Sequence, residues 1–267
     1  MDHQQLVRTI SEKRSFLCVG LDPDTDRIPP RFENDVLAFN RYIIDATRPY
    51  CVAYKPNTAF YEALGMVGMD ILRQTIAYIG KEHLVIADAK RGDIGNTSRF
   101  YARFAFDTLG ADAITVAPYM GQDSVAPFLE IPDKWAIVLA LTSNAGSQDF
   151  QHAKQGGGDQ PLYLKVMQRV SQWGTPDQLM FVCGATQAEK FSELREICPE
   201  HFFLVPGIGA QGGDLEGVCR HGMNAACGLL VNSSRGIIYA ADPAIAARTL
   251  QEKMHRALEK YCPDLSR

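Results

Sequence analysis

Four charged side chains, Asp88, Lys90, Arg91 and Asp93, follow directly on the apolar stretch Leu84-Val-Ile-Ala87. If that stretch is a β-strand, side chains two apart share a face, so Asp88 and Lys90 project together where the strand leaves the core. Gly92 and Gly95 would then stop the strand, and Asn96-Thr97-Ser98 would open a helix carrying Phe100, Phe104, Phe106 and Leu109. Opposite charges fixed side by side at a strand end make a preformed electrostatic site, suited to stabilising charge that develops on a bound molecule. The plainer alternative is a solvated loop with a surface ion pair. Three further places carry comparable groups: Asp22 in Gly20-Leu-Asp22-Pro-Asp24, Lys55 in Tyr54-Lys55-Pro-Asn57, and Thr142-Ser143-Asn144 after Leu141.

A second kind of chemistry is written near the carboxyl end. Val205-Pro206-Gly-Ile-Gly-Ala-Gln211-Gly212-Gly-Asp supplies glycines that let backbone N–H groups approach an anion, with Gln211 as an amide donor. Arg235, in Val231-Asn-Ser-Ser-Arg235, is able to grip a phosphate through two parallel hydrogen bonds.

These groups need a scaffold that brings distant segments to one rim. Eight apolar runs recur at Phe16–Gly20, Val52–Lys55, Leu84–Asp88, Ala113–Ala117, Ala136–Leu141, Leu179–Cys183, Phe202–Val205 and Gly228–Val231. Between them, Leu37–Thr47, Ala59–Ile79, Ser98–Leu109, Leu162–Trp173, Ala188–Ile197 and Ala244–Leu258 carry helix-period apolar residues; Gln122–Leu129 and Leu215–Arg220 are shorter candidates. Strands alternating with helices predict parallel pairing. Eight such units in 267 residues predict an α/β fold of the (β/α)8 TIM-barrel type, one domain over residues 1–267 with a short helix at its start. A doubly wound open sheet is the rival architecture. In a barrel the charged groups above would all lie at the carboxyl ends of strands, and the seventh and eighth loops would bind phosphate.

Composition narrows the function classes. A formal charge of −4, from 27 basic and 31 acidic residues, provides no general basic field for nucleic acid. The longest apolar run, Trp135 to Leu141, is too short to cross a bilayer, and the polar first residues do not resemble a signal peptide. Seven cysteines without a CxxC pair, several inside apolar runs, read as buried reduced thiols and hence a cytoplasmic protein.

Asp88-Ala-Lys90-Arg-Gly-Asp93-Ile94, with Lys55-Pro-Asn57 upstream and Pro206-Gly-Ile-Gly-Ala-Gln211-Gly-Gly-Asp downstream, resembles the orotidine 5′-phosphate decarboxylase family, in its longer-chain, mainly bacterial branch. The similarity runs from Gly20 to Arg235. It implies decarboxylation of orotidine 5′-monophosphate to UMP and CO2, the last step of pyrimidine synthesis, without metal or organic cofactor. It implies a homodimer in which Asp93, Ile94 and Thr97 enter the partner's site. Lys55, Asp88, Lys90 and Asp93 would form the catalytic set. Asp22 and Lys55 would hold ribose hydroxyls, as would the partner's Thr97. Ser143 would face the pyrimidine, with Thr142 and Asn144 as neighbouring alternatives. Pro206, Gln211, Gly212 and Arg235 would surround the phosphate, and Asn57 would join the substrate contacts. No thiamine or pyridoxal phosphate motif is evident, so fixed charge must stabilise the C6 carbanion, with Lys90 as both stabiliser and proton donor. The nearest rival is a Mg2+-dependent phosphosugar barrel, whose family pattern carries a carboxylate where this chain has Lys55. A non-catalytic phosphonucleotide sensor and a purely structural ion network are the remaining alternatives.

Overall fold

In the computed structural model, eight parallel strands close on themselves in sequence order. They are β1 (Leu17–Leu21), β2 (Ala53–Pro56), β3 (Leu84–Arg91), β4 (Ala113–Val116), β5 (Trp135–Leu141), β6 (Leu179–Cys183), β7 (Phe202–Pro206) and β8 (Leu229–Ser233). The structure describes residues 1–154, 159–208 and 213–266. The strands read as continuous apolar runs because both of their faces are covered, by the barrel interior on one side and by helices on the other. The β8–β1 pairing, Leu17 with Val231 and Cys18 with Asn232, closes the ring.

Among the described residues, twelve α-helices connect and flank the strands: α1 (His3–Lys13), α2 (Val36–Thr47), α3 (Thr58–Glu62), α4 (Gly65–Ile79), α5 (Gly95–Arg103), α6 (Gln122–Leu129), α7 (Ser147–Phe150), α8 (Leu162–Val170), α9 (Lys190–Ile197), α10 (Leu215–Gly222), α11 (Arg235–Ile238) and α12 (Pro243–Tyr261). Helix α1 opens with a capping box between Asp2 and Gln5. It lies at the amino-terminal end of the barrel. There the Met1 ammonium pairs with Asp112 at 2.7 Å, and the His3 ring packs on Trp135 and Phe202. The opposite, carboxyl-terminal mouth is thereby left for loops.

Several sequence expectations shift. The predicted helix over Ala59–Ile79 is two helices, α3 and α4, separated at Ala63-Leu64 by a turn that ends on Gly65 with φ +65°. The apolar periodicity continues across that break, which is why the pattern does not reveal it. The helix expected from Ser98 begins at Gly95, and its tail, Phe104–Thr108, widens into a π-helical turn. Phe100, expected on its apolar stripe, is 59% exposed. The third strand runs three residues further than expected, to Arg91. All seven cysteines are buried free thiols. Among the described residues no helix is long and apolar enough to cross a membrane.

Candidate active site

The end of β3 is irregular, and the irregularity builds the site. Register with β4 runs Ile86–Ala113 and Ala87–Ile114, then resumes only at Arg91–Val116. Asp88, Ala89 and Lys90 therefore bulge opposite Thr115 alone. Bulges of this kind re-aim side chains at barrel rims. Lys90 takes a left-handed conformation, φ +48°, which is unfavourable for a residue with a Cβ.

Lys55, rising from β2, donates to Asp88 Oδ2 at 2.5 Å, and Lys90 Nζ donates to Asp88 Oδ1 at 2.6 Å. The Thr115 hydroxyl donates to the same Oδ1 at 2.9 Å. The Lys55 and Asp88 side chains are almost fully enclosed, whereas that of Lys90 is 50% exposed. Burial alone would raise the Asp88 pKa. The Lys55 and Lys90 ammonium groups outweigh it and hold the carboxyl well below the usual carboxylate range. Burial would likewise favour neutral Lys55, but the negative charges of Asp88 and then Asp22 keep it charged to above the ordinary lysine range. Burial pushes the Cys18 thiol up, so it stays neutral beside Lys55.

Asp22 stands on the loop after β1. Its Oδ1 is buried and has no hydrogen-bond partner, as is the Oδ1 of Asn232 on β8. A buried acceptor without a donor suits a ligand hydroxyl. The loop itself is held by Tyr239, whose phenol accepts from the Asp24 N–H at 2.7 Å and donates to the Asp22 carbonyl at 3.1 Å. Tyr239 follows α11, and Arg235 is the first residue of that helix. At Gly20 a Cβ would lie 1.8 Å from Ser234 Oγ, so only glycine lets β1 come this close to the loop that precedes Arg235. Arg235 is exposed and makes no ion pair among the described residues.

The other sequence candidates fall in several places. Asn57 caps α3 through its Oδ1, which accepts from the Ala59 N–H at 3.2 Å, leaving its NH2 group for other partners. Pro206 ends β7 in register with Asn232. Ser143 packs against Gly184, where a Cβ would meet the Ser143 nitrogen at 2.9 Å. On either side of it Thr142 donates to Asn144 Oδ1 at 2.6 Å, and Gln151 holds Thr142. Asp93 does not reach either lysine of its own chain; its carboxylate accepts from the adjacent Ile94 N–H at 2.8 Å. Ile94 is 57% exposed and Thr97 is also exposed. Gln211 and Gly212 lie outside the described residues. Thr115 and Tyr239 were not singled out from sequence. The signal for Thr115 was there: it is the one polar residue in the apolar run Ala113–Ala117. Tyr239 offered none.

A buried carboxylate clamped between two ammonium groups beneath an open rim can place positive charge against a ligand without reorganising when that ligand reacts. The Orotidine 5′-phosphate decarboxylase / HUMPS family pattern matches residues 15–250. The orotidine 5′-phosphate decarboxylase of Bacteroides fragilis is 52% identical over 272 residues, covering 97% of this chain and 99% of the relative. That of Christiangramia forsetii is 54% identical over 273 residues, covering 97% and 100%. The structure of Leishmania donovani OMP decarboxylase superposes with a TM-score of 0.86 at 39% identity, covering 96% of this chain and 98% of that one. The chain therefore belongs to the orotidine 5′-phosphate decarboxylase / HUMPS family, within the branch that has the longer chain.

Proposed function

We infer that this barrel decarboxylates orotidine 5′-monophosphate to UMP and CO2, the step that completes UMP synthesis. Family membership supports the activity, and the Lys55–Asp88–Lys90 cluster supports the mechanism. Loss of CO2 leaves an electron pair at C6 in the plane of the pyrimidine, where the ring π system cannot spread it. The half-exposed Lys90 side chain is the most open of the cluster to a ligand. Its ammonium stabilises the developing carbanion and then delivers a proton to C6. Asp88 fixes both lysines in advance and lies near the departing carboxylate. Asp22 and Lys55 receive the ribose hydroxyls, and Arg235, with Gln211 and the neighbouring glycines, takes the phosphate.

The working unit is a homodimer. Asp93, Ile94 and Thr97 serve the partner's site, a reading supported by an Asp93 that leaves its own lysines untouched and an Ile94 that is apolar yet exposed. A cofactor-free reaction follows from the same charges, since two ammonium groups at the strand ends repel a divalent cation.

The test mixes the protein with orotidine 5′-monophosphate and follows the loss of ultraviolet absorbance, with and without EDTA. Turnover that ignores the chelator is expected; no turnover, or turnover abolished by EDTA, overturns the reading. For the dimer, Lys90→Ala and Asp93→Ala chains are inactive alone. Mixed under exchange, they regain up to about a quarter of wild-type activity, because half of the sites are in hybrids and one of each hybrid's two sites is intact. No recovery in verified hybrids removes Asp93 from the partner's site.

A further inference from the structure

The bulge at the end of β3 leaves the Lys90 N–H without a ladder carbonyl, and a side chain of the next strand takes its place. The Lys90 N–H donates to Thr115 Oγ1 at 2.9 Å, and the same hydroxyl donates its own proton to Asp88 Oδ1 at 2.9 Å. Thr115 is 1% exposed, so no solvent competes for these bonds. One hydroxyl thus fixes three things at once: the left-handed backbone of Lys90, the carboxylate that both lysines grip, and the distance between them.

We propose that Thr115 is a positioning residue for the decarboxylation, acting through Asp88 and Lys90 without touching substrate. The proposal rests on the function inferred above. Asp88 Oδ1 accepts from Lys90 Nζ, at the end of a flexible stem, and from Thr115 Oγ1, which also holds the Lys90 backbone in its unfavourable conformation; without the hydroxyl, both the stem and the backbone of Lys90 are loosely constrained. A β-branched hydroxyl on a paired strand is stiff at χ1, and it holds both in place. Asp88 Oδ2 and Lys55 do not depend on it, since their bond lies on the other side of the carboxylate. Losing the hydroxyl therefore loosens the Lys90 half of the cluster, the half that meets C6, and leaves the Lys55 half in place. That asymmetry predicts an effect on the chemical step rather than on substrate binding.

Thr115→Val keeps the shape and removes the hydroxyl; Thr115→Ser keeps the hydroxyl and removes the methyl. With orotidine 5′-monophosphate as substrate, Thr115→Val should lower kcat about 30-fold, the loss expected when one hydrogen bond to a charged group goes, about 2 kcal/mol. KM should change less than about threefold, and Thr115→Ser should return kcat to within about threefold of wild type. Thermal unfolding of each variant accompanies the kinetics, and should Thr115→Val not fold, Thr115→Ala is read by the same criteria. Wild-type kcat in a hydroxyl-free variant overturns the proposal. So does a Thr115→Ser variant as slow as Thr115→Val, or a loss confined to KM. An inactive wild-type protein would instead overturn the inferred function itself.

Discussion

Removing the Lys90 ammonium is the most direct perturbation of this site. Lys90→Ala deletes a charge that sits 2.6 Å from Asp88 Oδ1 and is half open to the barrel mouth. Two unit charges about 4 Å apart interact by roughly 4 kcal/mol at an effective dielectric near 20. Against negative charge that develops at C6 only as CO2 leaves, that energy is worth about three decades of rate. Loss of the proton donor contributes a further factor of roughly 10² to 10⁴. The two effects overlap in one group, so the expected fall in kcat is at least three decades and up to about seven.

The fold should survive the change. A half-exposed ion pair contributes at most about 1 kcal/mol after solvent screening. Alanine and lysine meet the same Cβ penalty at φ +48°, so backbone strain is unaltered. Asp88 keeps Lys55 and Thr115 as donors and is not left bare. The assay is loss of substrate absorbance, run beside a thermal melt of the same preparation. A folded Lys90→Ala protein that keeps more than about one hundredth of wild-type kcat would show that this ammonium is not the group meeting C6, because one positioned charge alone accounts for more than that.

Arg235→Ala should chiefly raise KM, by about 10- to 100-fold for a lost charge-assisted contact; an unchanged KM removes Arg235 from the phosphate site. A pH prediction comes from His201, buried beside Arg195 with neither ring nitrogen bonded. Burial first, and the Arg195 charge second, lower its pKa to about 4. The native state thus binds fewer protons than the unfolded chain between the ordinary histidine value near 6.5 and about 4. Stability from this group is full above that range and is lost as pH falls through it. His201→Phe should flatten the fall in unfolding free energy over that window, read by denaturant titration at several pH values; an unchanged slope refutes the assignment.

The barrel was legible because its strands are hydrophobic on both faces. Leu179–Cys183 and the helix Gln122–Leu129 have the bounds that the apolar pattern sets. Strand ends were less so: β1 and β8 each carry one or two polar-flanked residues beyond the apolar run, held in the ladder by neighbours that the local sequence does not specify. At the site, spacing alone brings Asp88 and Lys90 to one face. It does not reveal that they sit in a bulge, because a bulge is a relation between two strands. Thr115 was hidden for the same reason. Its partners lie 25 and 27 residues away, and only the β3–β4 pairing brings them together. Tyr239 is more distant still from the loop it holds, 217 residues from Asp22.

The placement of charge also says why the cluster is built on strands. Asp22 and Asp88 carry two negative charges, and Lys55 and Lys90 two positive ones, so one chain's contribution is near neutral. Asp93 from a partner would tip it negative, and the substrate carboxylate would enter a site that resists it. On the inferred mechanism, once CO2 leaves, the negative charge would move from a carboxylate facing Asp88 to a ring carbon facing Lys90. The same fixed array would oppose the first arrangement and favour the second, which would be differential stabilisation of the transition state. The array works only if Lys90 cannot follow the departing carboxylate. A lysine on a mobile loop would do so, and would stabilise substrate and transition state alike. A lysine whose backbone is locked in a bulge, and whose ammonium is tied to a carboxylate bonded on three sides, stays where the charge arrives.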